Sequence, residues 1–135
     1  ADDSRFATSG INVGLFCSTP SVPVSRNLGR KQAMELLLTG HFIDAHTALQ
    51  WGLVNRVVPA SRLDQEVAEL AGSIMSKSWV AVATGKRMFY KQLELPLESA
   101  YDYASGVMAG NMMADDVEEG VDAFMQKRTP VWKHQ

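Results

Sequence analysis

Apolar residues recur at helical spacing along most of this chain, and glycine, proline or a capping residue separates one periodic stretch from the next. Proline suits the first turn of a helix, so Pro20 and Pro23 mark one start, and Gly29 is expected to close that helix. The whole pattern predicts a helix-rich chain. The predicted helices run from 20 to about 28, over 30–39, 44–51, 61–77, 80–93 and 96–113, and from 115 or 116 to about 127.

The ends of several predicted helices carry residues with a specific physical role. Gly40 follows the second helix and Gly52 the third, where a left-handed residue commonly terminates a helix. Asp44 precedes the third helix as an N-cap. Ser61, with Asp64 three residues later, resembles a capping box for the fourth helix. The chemistry at these positions therefore predicts four helix boundaries.

Extended segments are few and short. The stretch 6–15 is interpreted as a strand, a tight turn and a loop, 42–43 as a brief extended pair, and 53–58 as a β-branched run that Pro59 stops. Isolated strand pairs are at best marginal, so these strands are expected to pair with strands outside this chain. The fold class that follows is α/β, helix-rich with a few short strands.

Composition excludes several classes of function. Apolar residues make up 46% of the chain and charged residues 21%, and the net charge of −2 gives no electrostatic reason to expect nucleic acid or an anionic membrane as partner. No apolar run approaches the roughly 20 residues that span a bilayer. The single cysteine, Cys17, excludes an internal disulfide and is interpreted as a buried thiol. The histidines His41, His46 and His134 show no metal-binding spacing, so no metal is expected.

Two blocks of sequence resemble one enzyme family. The first covers 38–45 (LTGHFIDA) and continues over 51–59 (WGLVNRVVP); the second covers 119–132 (EGVDAFMQKRTPVW). In order and spacing they are similar to the helix–turn–helix signature and the carboxy-terminal motif of the crotonase, or enoyl-CoA hydratase/isomerase, family. The resemblance covers essentially all 135 residues and identifies the chain as the carboxy-terminal half of such a protein.

The resemblance implies a crotonase-like spiral fold of ββα turns. Residues 1–60 are then the distal part of its core and residues 61–135 the helical trimerisation and CoA-contacting region. It implies a homotrimer or hexamer that acts on acyl-CoA thioesters in fatty-acid metabolism, with CoA as part of the substrate and no separate cofactor. The expected location is the cytoplasm in a bacterium and the mitochondrial matrix in a eukaryote.

The same resemblance locates a departure at Gly10. The family's second catalytic glutamate would lie at this position, and glycine can neither hold nor donate a proton. The first glutamate and the two oxyanion-hole N–H groups would precede Ala1. Hydration with two glutamates on one water needs both carboxylates. No catalytic residue is therefore assigned in this chain, and the chain alone is expected to be inactive.

Four residues are candidates for binding substrate. Phe124 and Lys127 match family positions that contact the CoA adenine and its phosphate from a neighbouring subunit, and a spacing of three places both on one helix face. Met108 matches a further position near the adenine, and Asn12 could face the acyl pocket. Each has an alternative: a core phenylalanine with a solvated lysine, a core methionine, and a turn asparagine that bonds its own backbone.

Two functions from different classes remain open. One is an acyl-CoA enzyme, either a hydratase with a nonstandard base or a related isomerase or thioester hydrolase. The other is a non-catalytic acyl-CoA-binding or assembly subunit, which Gly10 suggests. RNA binding gains little support from an acidic chain without a long basic helix. The three aspartates Asp44, Asp115 and Asp116 are interpreted as helix caps rather than acids.

Overall fold

The computed structural model describes residues 1–133, which divide into two compact units, 1–67 and 68–133. The division falls inside the fourth helix, seven residues beyond the boundary at 60/61 that the sequence suggested. The functional roles predicted for the two parts stay predictions. Seven α-helices form within the described residues: α1 (Ser18–Asn27), α2 (Arg30–Thr39), α3 (Ala45–Trp51), α4 (Leu63–Met75), α5 (Trp79–Gln92), α6 (Leu97–Asn111) and α7 (Asp115–Met125). The helix-rich expectation is confirmed.

The core of the first unit forms around α2. Leu28, Ala33 and Leu36 are buried together, and partly buried apolar side chains from the neighbouring segments pack against them. Leu37, on the same helix, is also buried. Thr8, itself buried, donates a hydrogen bond from its hydroxyl to the Leu36 carbonyl at 2.6 Å. This bond fixes the start of the 8–17 loop on the second helix.

The two described strands pair with each other. β1 (Arg5–Phe6) and β2 (Ile43–Asp44) are antiparallel, with Arg5 opposite Asp44 and Phe6 opposite Ile43. The expectation that the short strands would need partners from outside the chain is therefore wrong for this pair. A ladder this short is held by the helices around it, since a two-stranded pair is marginal in water.

The segment 6–15 contains the end of a strand, at Phe6, and then a tight turn, as predicted. The turn is a 3-10 helix, Ser9–Val13, that ends at Gly14, whose φ of 78° is left-handed. The predicted strand over 53–58 does not form. The run 53–58 is irregular, although the Val58 carbonyl accepts a hydrogen bond from the Asp2 N–H at 2.9 Å. β-branched residues favour a pleated, half-buried surface, and without a neighbouring strand that preference has nothing to act on.

Local capping chemistry predicted three helix boundaries correctly. Gly40 and Gly52 adopt left-handed φ values of 64° and 83° at the ends of α2 and α3. The Asp44 carboxylate accepts the Thr47 N–H at 2.7 Å, which caps α3 and lowers the pKa of Asp44. Each of these caps depends only on residues a few positions away in the sequence. The sequence alone is therefore enough to predict these three helix ends.

Two other boundaries were predicted wrongly. Ser61 lies inside a 3-10 turn, Ala60–Arg62, and α4 starts only at Leu63, so the predicted capping box does not form. Gly29 does not close α1 either: Leu28 ends that helix, and Gly29, at φ −59°, precedes α2. Pro20 lies in the first turn of α1, where proline was expected, but Pro23 lies inside the helix and does not mark its start.

In the second unit, α5 and α6 pack against each other. Ser78 caps α5 by accepting the Ala81 N–H at 3.2 Å, and Pro96 precedes α6 as predicted. No residue of α4, α5 or α6 is buried. The apolar stripe of α4, which includes Leu70 and Ile74, is 39–50% exposed at those two residues. These helices therefore present apolar faces to the surroundings.

The chain exposes more surface than its mass predicts. Its accessible surface is 10069 Å² for 14.8 kDa. A folded monomer of that mass exposes about 7,000 Å², and two separate domains of half the mass about 8,400 Å². Whichever reference is used, well over 1,000 Å² of surface is left that ordinary folding would bury.

No helix among residues 1–133 is both long enough and apolar enough to cross a lipid bilayer.

Candidate functional site

Position 10 lies in the 3-10 turn Ser9–Val13 of the first unit. The 3-10 helix that contains Gly10 reverses the chain, so that the Leu15 N–H donates to the Gly10 carbonyl at 3.0 Å and the Gly14 N–H to the Ile11 carbonyl at 3.1 Å. These bonds bring residues 15–17 back over Gly10. The chain is packed onto the place where a side chain would begin.

A Cβ atom at position 10 has no room. It would lie 2.8 Å from the Leu15 carbonyl oxygen and 2.8 Å from the Cys17 Sγ. The sulfur can rotate away, but the carbonyl belongs to the backbone and is fixed by the hydrogen bond at Leu15. Gly10 is therefore required by this turn, and a carboxylate at this position would need a different loop.

Asn12 uses its side chain within the first unit. Its amide donates to the Gly40 carbonyl at 3.5 Å, at the limit of a hydrogen bond. A Cβ on Gly40 would lie 2.7 Å from the Asn12 Oδ1, so the amide packs directly on the glycine that ends α2. Asn12 thus bonds the backbone 28 residues away and not its own turn. Its predicted role in an acyl pocket stays a prediction.

Phe124 and Lys127 meet at the end of α7. The Lys127 N–H donates to the Phe124 carbonyl at 3.2 Å and the Arg128 N–H to the Ala123 carbonyl at 3.0 Å, the paired bonds of a Schellman motif. α7 ends at Met125, so the argument that the two residues share a helix face is wrong. A turn joins them. Phe124 is 81% exposed, which excludes a core phenylalanine within the described chain.

Lys127 holds a backbone conformation that usually requires glycine. Its φ is 53°, and no other non-glycine residue in 1–133 has a positive φ. Its ammonium group has no hydrogen bond or ion pair within the part of the chain that the structure describes. The residue is strained and its charge is free to meet a ligand.

Glu119 ties the tail of the chain to α7. Its carboxylate accepts hydrogen bonds from the two terminal nitrogens of Arg128, at 2.5 and 2.8 Å, and from the Val131 N–H, at 2.7 Å. The Arg128 hydrogen bonds and the Val131 N–H stabilise the ionised form, so the pKa of Glu119 is lowered to about 2. Glu119 lies inside the second motif block, but it was not among the residues predicted to have a role.

Asp116 is not the helix cap that the sequence suggested. Ala114 precedes α7 as its N-cap residue, and Asp116 is 4% exposed. Its carboxyl group accepts the Ser78 hydroxyl at 2.5 Å and the Lys133 N–H at 2.7 Å. Asp115 lies in the first turn and approaches Lys133 at 3.7 Å. No sequence signal connects Ser78 with Asp116, because 38 residues separate them.

Trp132 anchors the same tail. Its indole N–H donates to the Ser76 carbonyl at 2.8 Å. Its ring lies over Gly120, where an added Cβ would be 3.4 Å away. Trp132 also borders an apolar groove of about 480 Å³, together with Ser78 and residues of α5, α6 and α7.

Met108 lies on α6. It is 65% exposed on α6 and lines a groove of about 290 Å³ between α5 and α6. No group of three potential metal ligands occurs among the described residues, and His134 lies outside them. Cys17 is half-buried beside position 10 rather than fully buried.

The sequence profile of the family described as enoyl-CoA hydratase/isomerase matches residues 1–135, which is the whole chain. The chain belongs to the enoyl-CoA hydratase/isomerase family. The crotonase fold predicted from the two motif blocks is confirmed by solved structures. An enoyl-CoA hydratase of Mycobacterium smegmatis matches with a TM-score of 0.93 at 54% identity, over 97% of this chain and 51% of that one.

Other family members are similar over nearly the whole chain. A rat protein named enoyl-CoA hydratase domain-containing protein 3, mitochondrial, is 50% identical over 99% of this chain and 45% of its own length. The crystal structure of the human protein of that name has a TM-score of 0.92 at 49% identity, over 97% of this chain and 52% of that one. A carnitinyl-CoA dehydratase of Salmonella typhi is 39% identical over 98% of this chain and 53% of its own.

This member of the enoyl-CoA hydratase/isomerase family spans about half the length of the relatives it matches. That it corresponds to their carboxy-terminal half stays a prediction from the motif blocks. The roles of Gly10, Asn12, Met108, Phe124 and Lys127 also stay predictions.

Proposed function

We propose that the protein carrying this chain binds acyl-CoA thioesters and that the chain supplies no carboxylate to them from position 10. One observation carries the second part: a Cβ on Gly10 would meet the Leu15 carbonyl oxygen at 2.8 Å. Family membership supports the first part.

The consequence for chemistry follows from the protons that hydration must move. Adding water across a conjugated thioester requires one group to take a proton from water and another to supply one. A positioned acid or base contributes about 10²–10⁴-fold to such a step. With no acid at Gly10, hydration by the two-carboxylate route loses that factor, and binding remains the function with the strongest support. Isomerase or thioester-hydrolase chemistry would need a base from elsewhere in the protein.

The end of α7 is the part of the chain best suited to contact CoA. Phe124 offers an exposed aromatic ring, and Lys127 offers an ammonium group with no partner in the described chain. An aromatic ring can pack beside adenine and an ammonium can pair with a phosphate. Met108 and Asn12 complete the proposed contacts, Met108 near the adenine and Asn12 toward the acyl group.

A homotrimer or hexamer is the assembly we propose. The support is the surface excess of well over 1,000 Å² together with the exposed apolar faces of α4 and α6. For a eukaryotic source we propose the mitochondrial matrix, since the name of the rat relative includes the word mitochondrial, and for a bacterial source the cytoplasm. A place in fatty-acid metabolism is part of the same proposal.

The test uses two thioesters with the protein that carries the chain. Butyryl-CoA, which has no double bond to hydrate, is titrated by calorimetry, and crotonyl-CoA hydration is followed by loss of the conjugated absorbance. We expect saturable butyryl-CoA binding, weakened in Lys127→Ala and retained in Lys91→Ala, an exposed lysine on α5. Crotonyl-CoA should be hydrated no faster than by a heat-inactivated sample. Absence of thioester binding refutes the first part of the proposal, and fast hydration refutes the inference that efficient hydration needs an acid at position 10.

A further inference from the structure

The turn after α7 contains a strain that the fold itself does not need. A left-handed backbone costs a non-glycine residue stability, and Lys127 has a φ of 53°. Glycine is the residue that this position of a Schellman motif normally contains. A lysine here therefore costs stability, and a task for its side chain would explain why the position is not a glycine.

Interactions within the described chain do not supply that task. The Lys127 side chain is exposed, and its ammonium makes no hydrogen bond or ion pair among residues 1–133. A cation near a helix C-terminus is favoured by the helix dipole, but by about 0.3–1 kcal/mol at an exposed site, less than the roughly 1–2 kcal/mol that a left-handed backbone costs. The position is thus explained by a ligand and not by the helix.

The strained residue is held from its carboxyl side. Arg128 follows Lys127 directly, and its guanidinium is fixed by a two-nitrogen contact with the Glu119 carboxylate. The Arg128 Nε also donates to the Gln126 side chain at 2.8 Å, on the other side of Lys127. Both neighbours of Lys127 are therefore joined through one guanidinium.

Glu119 fixes the next part of the tail as well. Its carboxylate accepts the Val131 N–H at 2.7 Å, and the side chains of Glu119 and Arg128 are 16% and 38% exposed. At such exposure the value of the pair lies in its geometry, because solvent screens most of the charge. Two parallel N–H···O bonds fix an orientation that a lysine–carboxylate pair would leave free.

We propose that Glu119 is a positioning residue which, through Arg128, holds the Lys127 turn in the conformation that presents the Lys127 ammonium to the ribose phosphate of CoA. The proposal rests on the proposed function, because it requires that this end of the chain binds CoA. Glu119 itself touches no substrate.

The test measures preference for the ribose phosphate rather than affinity alone. Butyryl-CoA and its analogue without the ribose phosphate, butyryl-dephospho-CoA, are titrated into the protein that carries the chain, and the ratio of the two Kd values is taken. One charge-assisted contact corresponds to a ratio on the order of 10. We expect Glu119→Gln and Arg128→Lys each to lower this ratio to about 3 or less.

A double-mutant cycle separates positioning from a general loss of structure. In a Lys127→Ala background, Glu119→Gln should cause no further change in the ratio, because the group that it positions is absent. Glu118→Gln, which removes the same charge from the adjacent exposed position, should leave the ratio unchanged. Circular dichroism shows whether each variant is folded, and Arg128→Lys serves if Glu119→Gln is not.

Each outcome decides one of the two proposals. A ratio unchanged in both Glu119→Gln and Arg128→Lys overturns the positioning role, and so does an equal effect of Glu119→Gln with and without Lys127. A wild-type protein that binds both thioesters equally also overturns it, while thioester binding as such stands. A wild-type protein that binds neither thioester refutes the proposed function instead.

Discussion

Replacing Gly10 by alanine tests the claim that packing, and not only chemistry, fixes this position. The added Cβ would lie 2.8 Å from both the Leu15 carbonyl oxygen and the Cys17 Sγ. Restoring an ordinary separation of about 3.5 Å requires a movement of about 0.7 Å. The sulfur can take its share by rotating, but moving the carbonyl strains the turn closed by the 3.0 Å bond from Leu15 to Gly10.

The expected loss in the free energy of unfolding is similar to that caused by overpacking a protein core. Forcing such a shift costs about 1–3 kcal/mol, so Gly10→Ala should lower Tm by about 2–12 °C in a protein of a few hundred residues. Gly10→Glu should cost at least as much and should not create hydratase activity, since its carboxylate would start from a displaced loop. Thermal unfolding followed by circular dichroism, with crotonyl-CoA turnover on the same samples, measures both effects.

Two further variants isolate the cause. Cys17→Ala removes the sulfur, so it should recover part of the loss from Gly10→Ala but leave the part due to the Leu15 carbonyl. Gly72→Ala is the matched control, because a Cβ there meets nothing within 4 Å and alanine favours a helix. If Gly10→Ala is as stable as Gly72→Ala, or if Gly10→Glu hydrates crotonyl-CoA efficiently, the packing argument is wrong.

Three other predictions concern the second unit. Lys127→Gly should stabilise the protein by about 1 kcal/mol in urea denaturation because it removes left-handed strain, yet weaken butyryl-CoA binding; a loss of stability would contradict the assignment of strain. The pKa of Glu119 is about 2, below its ordinary 4.5, so its stabilisation is complete above about pH 4.5 and is lost as pH falls toward 2. The difference in unfolding free energy between wild type and Glu119→Gln should therefore shrink over that window, and a constant difference would exclude the linkage. Ser78→Ala should cost about 2 kcal/mol, because it removes a donor from the buried Asp116 carboxyl group as well as the cap of α5, whereas the exposed Ser105→Ala should cost less than about 0.5 kcal/mol.

Features whose cause lies within a few residues could be predicted from the sequence. Asp44 caps α3 through the N–H of Thr47, three residues on, and Gly40 and Gly52 end helices through their own backbone angles. The family motifs added the crotonase fold. The same local logic failed at Ser61, where a 3-10 turn takes the place of the capping box.

Features that depend on residues far apart in the sequence could not be predicted from local patterns. Asp116 resembles a helix cap in sequence, but its partners are the Ser78 hydroxyl and the Lys133 N–H, 38 and 17 residues away. The sequence marked Gly10 as a missing acid and gave no sign that the Leu15 carbonyl occupies the space. The left-handed backbone of Lys127 has no signature either, since lysine is not a residue that such positions favour.

Contacts within the chain explain why position 10 is a glycine, but they do not explain the glycines of α5 and α6. At Gly10 the following loop residues fill the space that a side chain would need, so packing within the chain accounts for this glycine. Gly85, Gly106 and Gly110 lie within α5 and α6, where each costs about 1 kcal/mol against alanine, and a Cβ at any of them would meet nothing within 4 Å. Close packing of helices within the described chain is therefore not their reason. Since these helices also have no buried residues, the contacts that would justify both the glycines and the exposed apolar faces are to be sought in further polypeptide packed against them.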